Sequence, residues 1–491
     1  MKTFGLSTRT VGALLGVWSV AAGAAAPVRA ADTANRIENG RFTRGLEGWN
    51  FRPGNRKMTT LKTVPGIPGR ALFFHPRGEN AGLNSAALEF GRDLQRDQCY
   101  RLTGRVQFGG LRRGIAALSV CLYDGRGKRL RQYALLHWTP HSKRRDWTRF
   151  SAVLGPGTAY PFLAEAAKLR VRLSFFDRGG KCSGEIALAD VALRPARRNR
   201  FADWPASILV DCGDLQTRFE SRSFWTLYRL DYRGKRLCVD HFGSHYGSVA
   251  NFPGTGFIGS GHSEQGETEQ VESLTLSVDG RRLDPPPAHV AGRRIVLHKK
   301  SRIRTLALET TVTVLPDRIL EAVEVRAETP QKLNVLYHFM HPWVTAMDRF
   351  LAVTTGGTVI SGKFTGDKRM KVDAPVRWSA VYSDALQMGA VTVVLQVPPE
   401  SRWRVWYWDM PGRYRKHYFV TFRNQTIPAG RRFSYRIVTL PFAAGPERWK
   451  RVAEGLAARC LQSRRSPEQA PGKTGNGAAP AGNPGPGRRS Q

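Results

Sequence analysis

Residues 306–328 read LALETTVTVLPDRILEAVEVRAE. The run is rich in Val, Thr, Ile and Leu, sets apolar against polar positions and offers no sustained helical period, so it reads as strand on both sides of Pro316-Asp317. The same character recurs at SLTLSVDGRRL (273–283), AVTVVLQVP (390–398) and FSYRIVTLPF (433–442). Long helical patterns are missing from 206–445, which predicts one large all-β domain.

Upstream, CYRLTGRVQF (99–108), AALSVCLYD (116–124), LRVRLSFFD (169–177) and GEIALADVAL (184–193) alternate with turns rich in Gly, Asp and Arg. Short period-two runs at this spacing predict an antiparallel sandwich over 31–195. The basic stretch RPARRNRFADWP (194–205) interrupts them and reads as an exposed linker at 196–205. Downstream, PERWKRVAEGLAARCLQ carries Trp449, Val452, Leu456 and Cys460 on one helical face behind a first-turn proline, which predicts a short helix over 446–463. The Pro/Gly/Ala-rich tail 464–491 lacks the apolar residues to fold.

The first thirty residues place Lys2 and Arg9 before an Ala-rich apolar run from Val11 to Ala26 and close on Val28-Arg29-Ala30. This is the order of a cleaved signal peptide, so the mature chain is expected outside the cytoplasm, secreted, periplasmic or at the cell surface. No later stretch reaches the roughly 20 apolar residues of a membrane span. Six cysteines lack the paired spacing of a zinc site; in an oxidising compartment they could pair or stay as buried thiols. The formal net charge of +37 is spread along the whole body and favours anionic partners, with acidic polysaccharide ahead of an anionic membrane surface and nucleic acid excluded by export.

The opening IENGRFTRGLEGWNF (37–51), with CYRLTGRVQF, DWTRFSAVL (146–154) and GEIALADVAL, resembles the jelly-roll carbohydrate-binding modules of bacterial glycanases. The resemblance covers Asn35 to Arg194 and implies polysaccharide as partner. A sugar ring needs a flat aromatic face and polar neighbours; Trp138 is the first candidate, then Tyr100, Tyr160 and Arg101, whereas Trp49 and Trp147 are expected to pack inside. The segment LNVLYHFMHPW (333–343) resembles the histidine strand of the galactose-mutarotase-like β-sandwich, a superfold shared by aldose epimerases, polysaccharide lyases and some glycoside hydrolases. A glutamate matching the epimerases' late base is missing, so fold analogy does not choose a reaction.

Three stretches of the second domain collect functional groups. Residues 239–270 carry His241, His245, Tyr246, His262, Glu264 and Glu267 among glycines; the second stretch holds His338, His341 and Trp343. The third, WRVWYWDMPGRYRKHYF (403–419), offers Trp406 and Trp408 on one strand face, Asp409, then Arg413, Tyr414, Arg415, Lys416 and His417, with Trp403 in the opposite register. β-Elimination on a uronate uses such a set: a base, an acid and a cation on the carboxylate. The expected assignment makes His338 or His341 the base, Tyr414 the acid, and Arg415 the carboxylate-binding group, with His262 beside them. Arg413, Trp406, Trp408, His245, Tyr246 and Glu264 complete the binding set. Hydrolysis would need two carboxylates from Glu264, Glu267 and Asp409. His241, His245, His262 and Glu264 could instead hold a divalent metal, although their glycine-rich loop lacks a helical frame. The leading expectation is a polysaccharide-active protein, a lyase on an acidic glycan, with a non-catalytic glycan-binding or cell-surface protein or a glycoside hydrolase as alternatives.

Overall fold

The computed structural model describes residues 34–51, 55–78, 80–140, 142, 145–177, 179–240, 246–263, 267–399 and 401–463. The leader 1–30, His241, His245, Glu264 and the tail 464–491 lie outside them. The described chain is all-β with one helix, Trp449–Ser463. That helix is too short to cross a membrane.

The first sandwich packs a six-stranded sheet on a five-stranded one, both antiparallel. Neighbours in the six-stranded sheet run Trp49–Phe51, Ala81–Ser85, Lys168–Phe176, Ile115–Tyr123 and Arg129–Trp138. The period of two explains the layering: Leu169, Val171, Leu173 and Phe175 point into the core, while Arg170, Arg172 and Ser174 take the other face. Trp138 faces inward as well, 4% exposed and stacked on Phe108 at 5.7 Å, so it packs the core instead of offering a sugar platform. Trp49 is buried against Phe42, and Trp147 stands edge-on to Phe73. Tyr100 is buried too, and its phenolic oxygen accepts from the Gln95 amide. Arg101 points from the five-stranded sheet toward Ser151.

The second sandwich sets a twelve-stranded sheet against a ten-stranded sheet, with one large apolar core between them. The helix covers the outer face of the ten-stranded sheet, where Trp449 stacks on Tyr382 at 5.0 Å. The outer face of the twelve-stranded sheet turns toward the first sandwich.

The stretch read as an exposed linker is only partly exposed. Phe201 and Trp204 are buried in the second core, Trp204 packs on Trp225, and its Nε1 donates to Asp284. Large aromatics gain too much from burial to stay in solvent between basic residues. All six cysteines are free thiols.

Candidate functional site

The site is built by strand parity on the twelve-stranded sheet. In the strand Tyr414–Ile427, Tyr414, Lys416 and Tyr418 face outward, whereas Arg415, His417 and Phe419 face the interior. The adjoining strand Arg404–Met410 pairs Trp408 with Lys416 and Trp406 with Tyr418, so both tryptophans share the outer face. On the other side, Tyr337 of Gln331–Trp343 lies 4.9 Å from the Tyr418 ring and 6.2 Å from Phe257.

Phe339, at φ 50°, resets the parity of that central strand. Tyr337 and Met340 point out, and His338, Phe339 and His341 point in. His262 is delivered by a two-residue turn, Ser260-Gly261, in which both residues have positive φ, the geometry of a type I′ hairpin. The short strand His262–Ser263 then packs against Arg129–Trp138 of the first sandwich.

Between the two sandwiches lies a cleft of about 1080 Å³. The second domain lines it with Phe257, His262, Tyr337, Met340, Trp408, Arg413, Tyr414, Lys416 and Tyr418, and the first with Arg129, Gln132, His137, Arg172 and Ser174 among others. Arg129, Arg172 and Arg413 are cationic, Lys416 adds a basic group, and no Asp or Glu lines the cleft among the described residues. Its rim is apolar: Ile115, Phe176 and Trp408 line it and are well exposed, Trp408 at 37%.

Lys416 is the unusual group. It is 2% exposed, its Nζ sits 5.3 Å from the Tyr414 ring centre and 5.7 Å from that of Tyr418, and burial lowers its pKa from 10.5 to about 7. Burial pushes the Tyr414 phenol the opposite way, above its usual 10. The cleft therefore pairs a lysine able to be neutral near pH 7 with a tyrosine that stays protonated there.

The structure brings together His262, Arg413, Tyr414 and Trp408 of the expected set. It does not bring His338, His341, Arg415, Tyr246 or Trp138 to the same cleft. His338 is fully buried with Nδ1 2.7 Å from Ser248 Oγ, and burial lowers its pKa to about 3. His341 Nε2 lies 2.7 Å from Glu321 Oε2, and its Nδ1 lies 3.4 Å from His417 Nδ1. Arg415 turns inward onto Asp409, whose other oxygen accepts from the Gly366 amide. Tyr246 is a core residue whose hydroxyl donates to the Val239 carbonyl. Trp406 shares the outer face, with its Nε1 on Asp373 and its ring against Tyr337.

Of the three carboxylates considered for hydrolysis, Glu264 lies outside the described residues and the other two are engaged elsewhere. Glu267 pairs with Arg304, and Asp409 is held by Arg415. Of the four residues considered for a metal, only His262 is described, and the described residues contain no group of three His, Cys, Asp or Glu placed to hold an ion. Sequence reasoning passed over Lys416 as a site residue, although it stands in register with Tyr414 and Tyr418 and that signal was readable. It also passed over Arg129, Gln132, His137 and Arg172, for which a single strand pattern carries no signal of what the sheet faces.

No family model matches the chain, and no curated protein is similar to it in sequence. Solved structures do match parts of it. The enzymatically active domain of bacteriophage CBA120 tailspike protein 4 is 11% identical over 33% of this chain, with a TM-score of 0.25, and the chain spans only 21% of that domain's length. The CBM22-1 xylan-binding domain of Paenibacillus barcinonensis Xyn10C is 15% identical and matches 35% of this chain and 99% of its own, at TM-score 0.24. A candidate aldose 1-epimerase of Escherichia coli K12 is 7% identical and matches 48% of this chain and 99% of its own, at TM-score 0.30. Both kinds of fold resembled by the sequence, jelly-roll carbohydrate-binding module and mutarotase-like sandwich, are thus among the matches. The likenesses are partial and low in identity, so function rests on the residues of the cleft.

Proposed function

We propose that the protein is an exported, glycan-active enzyme whose interdomain cleft binds an acidic polysaccharide and cleaves it by β-elimination. The observation that carries this reading is a cleft with three arginines and no described carboxylate, holding a lysine of lowered pKa beside a tyrosine of raised pKa. Such a lining attracts a polyanion, and among the described residues it holds no carboxylate pair of the kind glycoside hydrolysis uses. Exposed Trp408 supplies an apolar face for a pyranose ring.

In the proposed step, Arg413 binds the uronate carboxylate and makes the C5 proton more acidic. Neutral Lys416 takes that proton, and the C–H electron pair forms the C4=C5 double bond. The C4–O bond breaks, and its oxygen receives the phenolic proton of Tyr414. The Lys416 ammonium then returns a proton to the Tyr414 phenolate, and the site is restored. His262, across the cleft beside the first domain, is placed to bind a flanking sugar.

The test is incubation of the full chain with a panel of polyuronates, neutral glycans and sulfated glycans, reading ultraviolet absorbance of the unsaturated product and new reducing ends. Absorbance and reducing ends rising together support elimination. Reducing ends without absorbance move the protein to the hydrolases, and binding without either product makes it a glycan-binding protein.

A further inference from the structure

We infer that the first sandwich is one wall of the substrate site, and that Arg172 on its six-stranded sheet binds an acid group of the sugar chain opposite the Lys416 wall. This rests on the reading of the cleft as an acidic-glycan site and assigns its second half.

The sheet is shaped for the role. Strand register places Asn84, Arg172 and Ser119 in one row across three neighbouring strands, and Gly82, Ser174 and Ala117 in the next. The second row has almost no side-chain bulk, so a trough remains beside Arg172 within the interdomain cleft. Arg172 is half-buried, and its Nη1 donates to Asn84 Oδ1 at 3.3 Å, a neutral partner that orients the guanidinium; among the described residues no carboxylate is paired with it. Gln132 lines the same wall and donates to Ser119 Oγ. The cleft volume lies just above the roughly 300–1,000 Å³ range of small-molecule sites, so it suits more than one sugar ring, with the chain running between the walls. An independent targeting module would instead present its sheet to open solvent.

The experiment measures binding of the full chain to polygalacturonate and alginate oligomers, with a neutral cello-oligomer as control, by calorimetry at two salt concentrations. Arg172→Gln removes the charge and keeps a side chain that reaches Asn84, and Ala117→Trp fills the trough without changing charge. Each should raise the Kd for the acidic oligomer about ten- to a hundredfold, as expected for losing a hydrogen-bonded charge or the space it serves. Parent-like binding by both Arg172→Gln and Ala117→Trp would overturn the inference, and if one variant fails to fold the other decides. Absence of unsaturated product with these affinity losses intact would sink only the elimination reading. A parent chain that binds none of the acidic oligomers would remove both.

Discussion

The two faces of the strand Tyr414–Ile427 carry similar numbers of polar groups and treat them in opposite ways. Inward, Arg415 is paired with Asp409 and His341, beside His417, with Glu321, both inside the sandwich. Outward, Lys416 lies between two phenols in a cleft where the described lining holds no acid. Buried groups that serve the fold are expected to be paired, because an unmatched charge away from water is costly. Lys416 and Tyr414 open instead onto a cleft that a ligand can reach. On the proposed reading the outer face carries the chemistry and the inner one serves the fold, although the inner face holds the two histidines that look more catalytic in sequence.

The largest expected effect tests the outer face. Lys416→Arg keeps a cation that does not deprotonate, so turnover on an active polyuronate should fall about 10²- to 10⁴-fold with the fold retained. In the parent, kcat/KM should climb through about pH 7 as Lys416 loses its proton, while Tyr414 keeps its own. Lys416→Met should be as inactive yet no less stable. The folded pKa is lowered, so the unfolded chain binds the extra proton between about 7 and 10.5; the parent's penalty is complete below pH 7 and gone above 10.5. The variant's advantage in denaturant midpoint should therefore be greatest at pH 6. Undiminished turnover in Lys416→Arg would break the comparison at its functional end.

The inner face is tested by Asp409→Ala, which leaves the Arg415 guanidinium and the Gly366 amide without their carboxylate. Removing one partner of a buried pair costs about 3–5 kcal/mol, and Asp409→Ala with Arg415→Met should recover most of it. Chemical denaturation at pH 7 gives both numbers. A single-variant loss under about 1 kcal/mol would mean that the pair is solvated and that the two faces are less different than drawn.

Much of this architecture was legible in the chain. Runs such as LALETTVTVL and LRVRLSFFD declare strands, and their period separates a core face from a polar face. Legibility failed where both faces are polar. In YRKHYF, alternation groups Tyr414, Lys416 and Tyr418 against Arg415 and His417, but nothing local says which group looks outward. For His338 and His341 the obstacle is the bulge at Phe339, a left-handed residue that sequence gives no reason to expect. Trp138 misled differently: an aromatic in a module-like strand suggested a platform, and the core claimed it as a partner for Phe108. The wall containing Arg172 required knowing that a second domain faces the sheet, which is a tertiary fact.

The smallest effect sharpens the inner face further, through His338. The ring is fully buried, shares one hydrogen bond through Nδ1 with Ser248 Oγ, and burial alone holds its pKa at about 3. A proton-transfer role would need access to the cleft, which the neighbouring Tyr337 has and His338 lacks. Its consequence is in stability. Between about pH 6.5 and 3 the unfolded chain binds a proton at this position and the folded chain does not, so stability should decline as pH drops through that window. His338→Gln should cost about 1 kcal/mol at pH 7 through the altered Ser248 contact and leave turnover nearly unchanged. Because glutamine cannot take the proton, the deficit should shrink steadily as pH is lowered and reverse before pH 4. Parallel denaturation midpoints for parent and variant across pH 4 to 7 would show that the ring is not held neutral by burial. A large loss of turnover with the midpoint intact would place His338 in the chemistry and undo the division between the two faces.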